Sequence, residues 1–354
     1  MRKKLLASAV SALFLGIGAG PAMADGSVAG QLAEQVAGNY QSAVSNATST
    51  QINPTNQNIS VRVLSPGNDG DVTQSNESTA GSFAGNSNDT SQAVDQTQGG
   101  GAGGTGIQES GQKAGSGQHA DSNAESTQVH PTNRNISVRV LSPGHNGSVD
   151  QSNESKAKSF AGNKNTLTQD TTQHQDGSGC CPAPANGKDK HEDPCGCQSG
   201  VGIQAGGQEA YNKQKAESNA ESKQIKPTNQ NISVRVLSPG HDGDVSQTNS
   251  STALSGAFNK NDTTQSLDQT QRGSGCHPCS SGVGIQAAGQ KAFNWQDAYS
   301  NAESKQIHPT NKALSVRFKS WGGGGTLSQA NSSFAGSLAA NKNVLGQTLR
   351  QTQG

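Results

Sequence analysis

The chain has 354 residues with 26 basic and 26 acidic side chains, so its formal net charge is zero. Hydrophobic residues make up only 29% of it and aromatic residues 3%, whereas ordinary domains are about 45–50% apolar. This composition excludes a large oily core, and the balanced charge gives no indication of a nucleic-acid or anionic-membrane partner.

Residues 1–24 predict a secretion signal. Three basic residues at positions 2–4 precede the apolar run from Leu5 to Gly18, and Ala22 and Ala24 are small residues at the cleavage site. A membrane anchor would need about 20 apolar residues, more than this run provides. Cleavage leaves 23 basic and 26 acidic residues, a net charge of −3. We expect a protein that is secreted to the cell surface or beyond, without membrane insertion.

The mature chain repeats a unit of roughly 70 residues four times. The segment PTNQNISVRVLSPG begins at Pro54, returns with one change at Pro131 and unchanged at Pro227, and a divergent copy, PTNKALSVRFKSWG, begins at Pro309. The predicted organisation in chain order is repeat 1 (25–98), a Gly-rich linker (99–105), repeat 2 (106–175), a Cys-rich insert (176–200), repeat 3 (201–272), a Cys-containing linker (273–282) and a divergent repeat 4 (283–354), a candidate cap.

Alternate residues are nearly fixed in the second half of each unit. The stretches VDQSNESKAKSFAGNKNTLTQ, from Val149, and VSQTNSSTALSGAFNKNDTTQ, from Val245, share Val, Gln, Asn, Ser, Ala, Ser, Ala, Asn and Asn at every second position, while the residues between them vary. A period of two is typical of strands, whose successive side chains leave opposite faces. The fixed set is therefore expected to face an interior and the variable set solvent.

The same parity, followed through the PTNxNISVRV segment, predicts that Ile59, Val61 and Val63 face inward. The arginines at alternate positions (Arg62, Arg139, Arg235 and Arg317) are then expected on the outer face. There they would form salt bridges or protect strand edges, with anion binding as the alternative.

An interior of Gln, Asn, Ser and Ala requires every buried amide to find a partner. In stacked strands about 4.8 Å apart, each amide can bond to its equivalent one rung above and below. The sequence thus predicts an all-β, repeat β-solenoid-like stack of strand–turn–strand rungs with Gln/Asn ladders. The predicted ladder and core residues are Gln74, Asn76, Asn86, Asn88, Gln92, Gln151, Asn153, Asn163, Asn165, Gln169, Gln247, Asn249, Asn259, Asn261, Gln265, Gln290, Gln296, Gln329 and Asn331.

Short motifs carry a resemblance to a known family. GQKAFNWQ (289–296), GQEAYNKQ (207–214) and GQKAGSGQ (111–118) resemble the curlin repeat of curli fibre subunits. The match covers about a third of the mature chain, Gln often replaces the motif's Asn, and the PTNxNISVRVLSPG segment is foreign to the family. The resemblance implies strand–turn–strand rungs stacked into a β-solenoid that polymerises as an extracellular functional amyloid.

Six cysteines lie only in the inserts, which favours disulfides in an exported chain, with the pairing left open. A zinc site that includes His191 and a CHPC redox pair are the weaker alternatives. The disulfide candidates are Cys180, Cys181, Cys195, Cys197, Cys276 and Cys279.

The SPGxxG element reads as a turn, and calcium binding at its NDGD and HDGD versions is the weaker alternative because the other two copies lack those carboxylates. No motif predicts a catalytic site, a metal or a cofactor. Aromatic residues on the variable face of the last unit are candidates for a contact face with the next subunit or a surface ligand: Phe293, Trp295, Tyr299, Trp321 and Phe334.

The most consistent interpretation is a secreted structural protein that assembles with itself into extracellular fibres or a biofilm-like surface matrix. Its partners would be further copies of the chain and components of the cell surface or matrix. A monomeric repeat adhesin or glycan-binding surface protein is the alternative, and the small number of aromatic residues counts against it. A non-enzymatic role is expected, because no motif of the repeats provides a nucleophile in a suitable setting.

Overall fold

A computed structural model of the protein describes residues 28–99, 104–176, 200–272 and 283–354, and these ranges form strands and turns. Each range is one coil of three strands, so the four sequence units become four stacked coils. The strands are β1 (Val28–Ile52), β2 (Thr55–Val63) and β3 (Val72–Gly99) in coil 1; β4 (Thr105–Val129), β5 (Thr132–Val140) and β6 (Val149–Asp176) in coil 2; β7 (Val201–Ile225), β8 (Thr228–Val236) and β9 (Val245–Arg272) in coil 3; β10 (Val283–Ile307), β11 (Thr310–Phe318) and β12 (Leu327–Gln353) in coil 4.

Equivalent strands of successive coils pair in parallel, which gives three four-stranded sheets. The register places each repeat on its own equivalent: Gln74 pairs with Gln151, Gln151 with Gln247, and Gln247 with Gln329. The structure therefore confirms the all-β, solenoid-like stack predicted from the repeats. It also shows that a whole unit of three strands makes only one turn of the solenoid.

The first and third sheets face each other and form a wide sandwich. Within coil 1, β1 and β3 run in opposite directions across the interior, because Gln35 bonds to the backbone of Ala93 whereas Gln51 bonds to that of Glu77. The middle sheet and the SPGxxG turns close one end of this sandwich, and we call that end the corner.

The corner begins where the strand alternation is broken. Asn53 has a φ of 52°, and the equivalent His130, Lys226 and His308 have the same left-handed conformation. A second left-handed residue, Leu64 at 54° in coil 1, follows the short strand. Each such residue interrupts the two-residue period, so the parity of the middle strand is opposite to the one predicted from the sequence.

The outcome is that the predicted facing of the middle strand is wrong. Arg139 and Arg235 are fully buried in the corner, and Arg62 lies on the same inner side. Ile59 and Val61, predicted to face inward, are 55% and 61% exposed. The sequence prediction assumed that the alternation of inward and outward residues continues past Asn53, whereas the left-handed backbone at Asn53 reverses it.

The opposite end of the sandwich is where the coils are joined. Gln98, near the end of β3, donates to the backbone carbonyl of Ala29 at the start of β1, so each coil begins and ends at this edge. The three connections between coils all leave from it. The predicted signal and the six cysteines lie outside the described residues, and so do most of both Cys-containing segments.

Candidate assembly interface

Glutamine ladders run through the sandwich along the stacking direction. Gln112 donates its Nε2 to Oε1 of Gln35 at 3.3 Å, Gln208 donates to Gln112 at 3.0 Å, and Gln290 donates to Gln208 at 2.9 Å. Each Nε2 also donates to a backbone carbonyl of the facing sheet; Gln208, for example, donates to the carbonyl of Ser266 at 2.7 Å. Both amide hydrogens are thus used, which removes the penalty of burying the group.

Asparagine ladders run in the opposite sense. Asn86 donates its Nδ2 to Oδ1 of Asn163, Asn163 donates to Asn259, and Asn259 donates to Asn341, at 2.9–3.0 Å. In the glutamine ladders each coil donates to the coil that precedes it in the chain. In the asparagine ladders each coil donates to the coil that follows it. The stack therefore has a chemical direction as well as a chain direction.

Serine hydroxyls connect the two facing sheets in a zigzag. Ser78 bonds to Ser49 and to Ser126, and Ser126 bonds in turn to Ser155, all at 2.8–2.9 Å. The same chain continues through coils 3 and 4. Beside it, alanines from all four coils pack into two clusters that include the fully buried Ala124 and Ala120. Small side chains let the sheets approach closely enough for hydroxyls to bridge them.

The structure places every predicted ladder residue in such a column. Those of coils 1–3 are buried, apart from the half-buried Asn86. In the last coil Gln290 and Gln296 are half-buried, and Gln329 and Asn331 are exposed, because no further coil covers them.

The two outer coils are open edges of this ladder system. Below coil 1 and above coil 4, three strands of 25, 9 and 27 or 28 residues have no neighbour on one side within the described chain. Long unpaired edges are templates for pairing with another chain. None of the four long outer strands, β1, β3, β10 and β12, is short or interrupted by proline, and short strands and prolines are two of the devices that commonly protect an edge.

The two edges present nearly the same inward residues. In register, Gln35 of coil 1 corresponds to Gln290 of coil 4, and Asn76 corresponds to Asn331. The full set of matched inward pairs includes Asn39 and Asn294, Gln41 and Gln296, Ser45 and Ser300, Ser49 and Ser304, Gln74 and Gln329, Asn86 and Asn341, Asn88 and Asn343, and Gln92 and Gln347. A second copy placed on coil 4 would continue these ladders without a change of residue.

The hydrogen-bonding groups of the two edges are also complementary. At coil 1, Gln35 donates only to the facing backbone and has one amide hydrogen to spare, while at coil 4 Oε1 of Gln290 accepts no bond. The asparagine ladders have the reverse arrangement, since Nδ2 of Asn343 donates no bond. Coil 1 therefore matches coil 4 of another copy in donors and acceptors.

The corner holds a column of arginines in addition to its own asparagine ladders, such as Asn58, Asn135 and Asn231. Arg139 donates from Nε to Oδ1 of Asn146 at 2.7 Å, from Nη1 to the carbonyl of Gly67 at 2.6 Å, and from Nη2 to that of His145 at 2.7 Å. Arg235 makes the equivalent three bonds one coil higher, with Asp242 in the place of Asn146. Each arginine thus fastens the turn of its own coil to the turn below.

Carboxylates accompany these arginines in alternate coils. The fifth position of the SPGxxG turn is Asp69 in coil 1, Asn146 in coil 2, Asp242 in coil 3 and Gly324 in coil 4. Asp69 lies 2.6 Å from Nε of Arg62 and 3.0 Å from Nη2 of Arg139. Asp242 is shared in the same manner by the arginines of coils 3 and 4, at 2.7 and 3.1 Å. Four guanidinium groups are therefore balanced by two carboxylates.

The pKa of Asp242 reflects this environment. Burial by itself would raise the pKa of this carboxyl group, but hydrogen bonds from Ser315, Arg235, Arg317 and Ser233 outweigh burial and lower the pKa to about 2. Burial also raises the pKa of Asp69, and the Arg62 and Arg139 guanidinium groups lower it overall. Both groups therefore stay ionised at any ordinary pH.

The arginine column was the main element missed from the sequence. The signal that would have found it is the constant spacing of the arginine and the polar residue seven positions later, as in Arg62 and Asp69 or Arg235 and Asp242. A cavity of about 560 Å³ follows the column along the stack, and its lining includes Asn58, Asn135 and Asn231. Since Asp242 is occupied by arginines, the alternative of a calcium site in the turn loses one of its ligands.

The aromatic contact candidates do not form one surface. Phe293, Trp295 and Tyr299 lie on the outer side of β10, where Phe293 stacks on Tyr211 at 5.8 Å and Lys213 lies 5.0 Å from the Trp295 ring. Phe334 lies on β12, in the opposite sheet of the sandwich, and Trp321 is 83% exposed in the turn. The structure brings three of the five together.

The outer side of the middle sheet carries a second exposed feature. Three columns of apolar side chains, headed by Ile59, Val61 and Val63 in coil 1, run through β5 and β8 to Leu314, Val316 and Phe318 in coil 4. All members are partly or largely exposed. We call this surface the apolar corner face.

Within the described ranges, no group of three or more histidine, cysteine, aspartate and glutamate side chains is arranged to hold a metal ion. The same part of the chain has no helix that is long and apolar enough to cross a membrane. Comparison of the chain with protein-family models, curated proteins and solved structures gave no match. The resemblance to curlin repeats therefore rests on the sequence motifs alone.

Proposed function

We propose that the protein is a secreted structural subunit that stacks head to tail with further copies of itself into extracellular fibres or a surface matrix, in the manner of curli. The observation that carries the proposal is the match between the two open edges, which present nearly the same inward residues and complementary amide groups. Each added copy would pair three strands and continue the amide ladders of the sandwich, which supplies a driving force in the absence of an oily interface; the Asn58 ladder of the corner is the exception, because it ends at Ala313 in coil 4.

Backbone direction favours the same arrangement. All pairs between coils are parallel and in register, so coil 1 of one copy placed on coil 4 of another continues each sheet. Two copies that met through the same edge would have antiparallel strands and amide donors facing donors. Growth is therefore expected to be polar.

The test blocks one edge with inward charges. In the Asn341→Lys and Asn343→Lys double variant, lysines lie on the ladder face of coil 4, where the next copy would have to bury them. The matched control, Ala340→Lys and Val344→Lys, places the same charges on the outward side of the same strand. Wild type and control should form fibres in electron micrographs with a reflection near 4.8 Å along the fibre axis, while the blocked variant should not.

The blocked variant retains a normal coil 1. It should add to one end of a growing fibre and stop it, so a small molar fraction should suppress elongation of the wild type. If the wild-type chain stays monomeric at high concentration for days, the fibre proposal fails and a monomeric adhesin becomes the better interpretation. Equal assembly of the blocked variant and its control would refute stacking through this edge.

A further inference from the structure

We propose that the apolar corner face pairs with the same face of a second copy, so that two stacks of this protein join side by side along their length. The inference rests on the proposed stacking and adds to it a second, lateral interface. A contiguous apolar sheet face exposed to water is typical of a contact surface. Its β-branched residues, repeated in register, can interdigitate with an identical sheet as in a dry steric zipper.

The chain has no segment between coils that could cover this face. The connections leave from the far edge of the sandwich, and β1, with 25 residues, spans about 80 Å between that edge and the corner. The longest connection has 23 residues between Asp176 and Gly200, so fully extended it reaches about 80 Å in total. It cannot travel to the corner and return. A connection between coils is therefore excluded as the occupant of the face, which favours a second copy of the chain.

The area of the face explains why stacks, and not single subunits, should pair. Four strands about 4.8 Å apart and nine residues long make a face of about 600 Å². A stable interface needs about 800 Å² from each partner, so one copy offers too little. In a stack, the columns of successive copies join into a continuous strip, and the buried area grows with each copy. Lateral pairing is therefore coupled to elongation.

Charge at the margin selects the orientation. Arg134 and Lys312 border the apolar columns on one side, in the column that Gln57 begins, and Lys319 borders them on the other side in coil 4. With the strands of the two faces running in opposite directions, the Val61 column meets itself, and Arg134 and Lys312 of one copy lie at the rim opposite to those of the other. The parallel alternative would place each of the three basic residues beside its own copy, which is less favourable.

The test replaces the central column by threonine, which keeps the β-branched shape and the strand preference while removing the apolar contact. The variant is Val61→Thr, Val138→Thr, Val234→Thr and Val316→Thr. The control, Val36→Thr and Val44→Thr, makes the same change on the exposed outer side of β1. Mass per unit length of the fibres is measured by scanning transmission electron microscopy.

Wild-type and control fibres should have about twice the mass per length of the variant's fibres, which should be single stacks. Single wild-type fibres, or paired fibres of the threonine variant, would overturn the lateral interface and leave the stacking proposal intact. Single wild-type fibres that bind phosphatidylcholine vesicles, and lose this binding in the variant, would assign the face to a lipid surface instead. Absence of fibres in the wild type would overturn stacking and pairing together.

Discussion

The sandwich and the corner solve the same stacking problem with different chemistry. In the sandwich each coil repeats the same neutral amide, as in Gln35, Gln112, Gln208 and Gln290, and the amide is both donor and acceptor for its own kind. In the corner each coil repeats an arginine, which can only donate and which repels its copy one rung away. The corner therefore needs carboxylates, and it has them in alternate coils. A ladder of neutral amides can be extended by any number of coils. The stability of a column of charged residues depends on whether a carboxylate lies beside each arginine.

The sandwich is expected to give the largest effect when it is broken. The Gln247→Leu and Asn249→Leu double variant removes ladder bonds to Gln151 and Gln329 and to their asparagine counterparts, and leaves several buried amide groups without partners. At about 1–3 kcal/mol for each unsatisfied group, the expected loss of stability is about 5 kcal/mol or more. The measurement is the circular dichroism β signal during denaturant unfolding.

The control for this variant uses the same strand with the opposite parity. Ser246→Leu and Thr248→Leu add the same apolar side chains to the outward face and should change stability by less than about 1 kcal/mol. Equal losses in both variants would contradict the assignment of the faces.

The corner should be somewhat less sensitive, and its response depends on charge. In the wild type, one carboxylate oxygen of Asp242 accepts from Arg235 and the other accepts from Arg317. Asp242→Asn replaces one of these oxygens by an amide group that can only donate. The variant leaves one carboxylate for four arginines, and loss of one partner from a buried ion pair costs about 3–5 kcal/mol. Asp244→Asn, at an exposed carboxylate that accepts only from Thr326, is the matched control and should have a small effect. Similar unfolding midpoints for the two variants would show that alternation of charge does not stabilise the corner.

Acid should destabilise the corner but not the sandwich, and this effect should be smaller than those of the two sets of substitutions above. The pKa of Asp242 is about 2 in the folded chain, below its ordinary value of 3.8, so its stabilising contribution is complete above about pH 4 and is lost as the pH falls through 2. The loss should amount to about 2 kcal/mol, because each pKa unit corresponds to about 1.4 kcal/mol. The neutral ladders have no titrating group and should add nothing to this pH dependence.

The measurement is the unfolding midpoint between pH 5 and pH 2 for the wild type and for Asp242→Asn. The wild type should lose more stability over this interval than the variant, which lacks the carboxyl group. The same acid sensitivity in both would place its origin elsewhere in the chain.

The sequence predicted the fold where its alternation is uninterrupted. Over the long strands, the period of two and the choice of small polar residues were enough to assign strands, faces and ladders, for instance at Gln151 and Asn153. The prediction failed beyond Asn53 because the alternation rule assumes an extended backbone, and a left-handed residue is not visible in residue types alone. At the equivalent position the other coils have His130, Lys226 and His308, which share no residue preference that would reveal it.

The aromatic candidates show a different limit. Phe334 and Phe293 were grouped because both lie in the last unit and both face outward. Each coil has two outer surfaces, one on each sheet of the sandwich. The alternation of residues assigns a side chain to the outside of its strand but does not show on which of the two sheets that strand lies. Only the reversal at the corner separates them.

The edge at which the coils are joined has a consequence for engineering. Equivalent residues are 77, 96 and 82 positions apart in successive coils, and this variation arises only in the connections after Gly99, Asp176 and Arg272. The rungs above and below stay in register whatever the length between them. Short peptide tags spliced into these three connections would be anchored in a row, at points about 4.8 Å apart for each coil, in an order fixed by the gene.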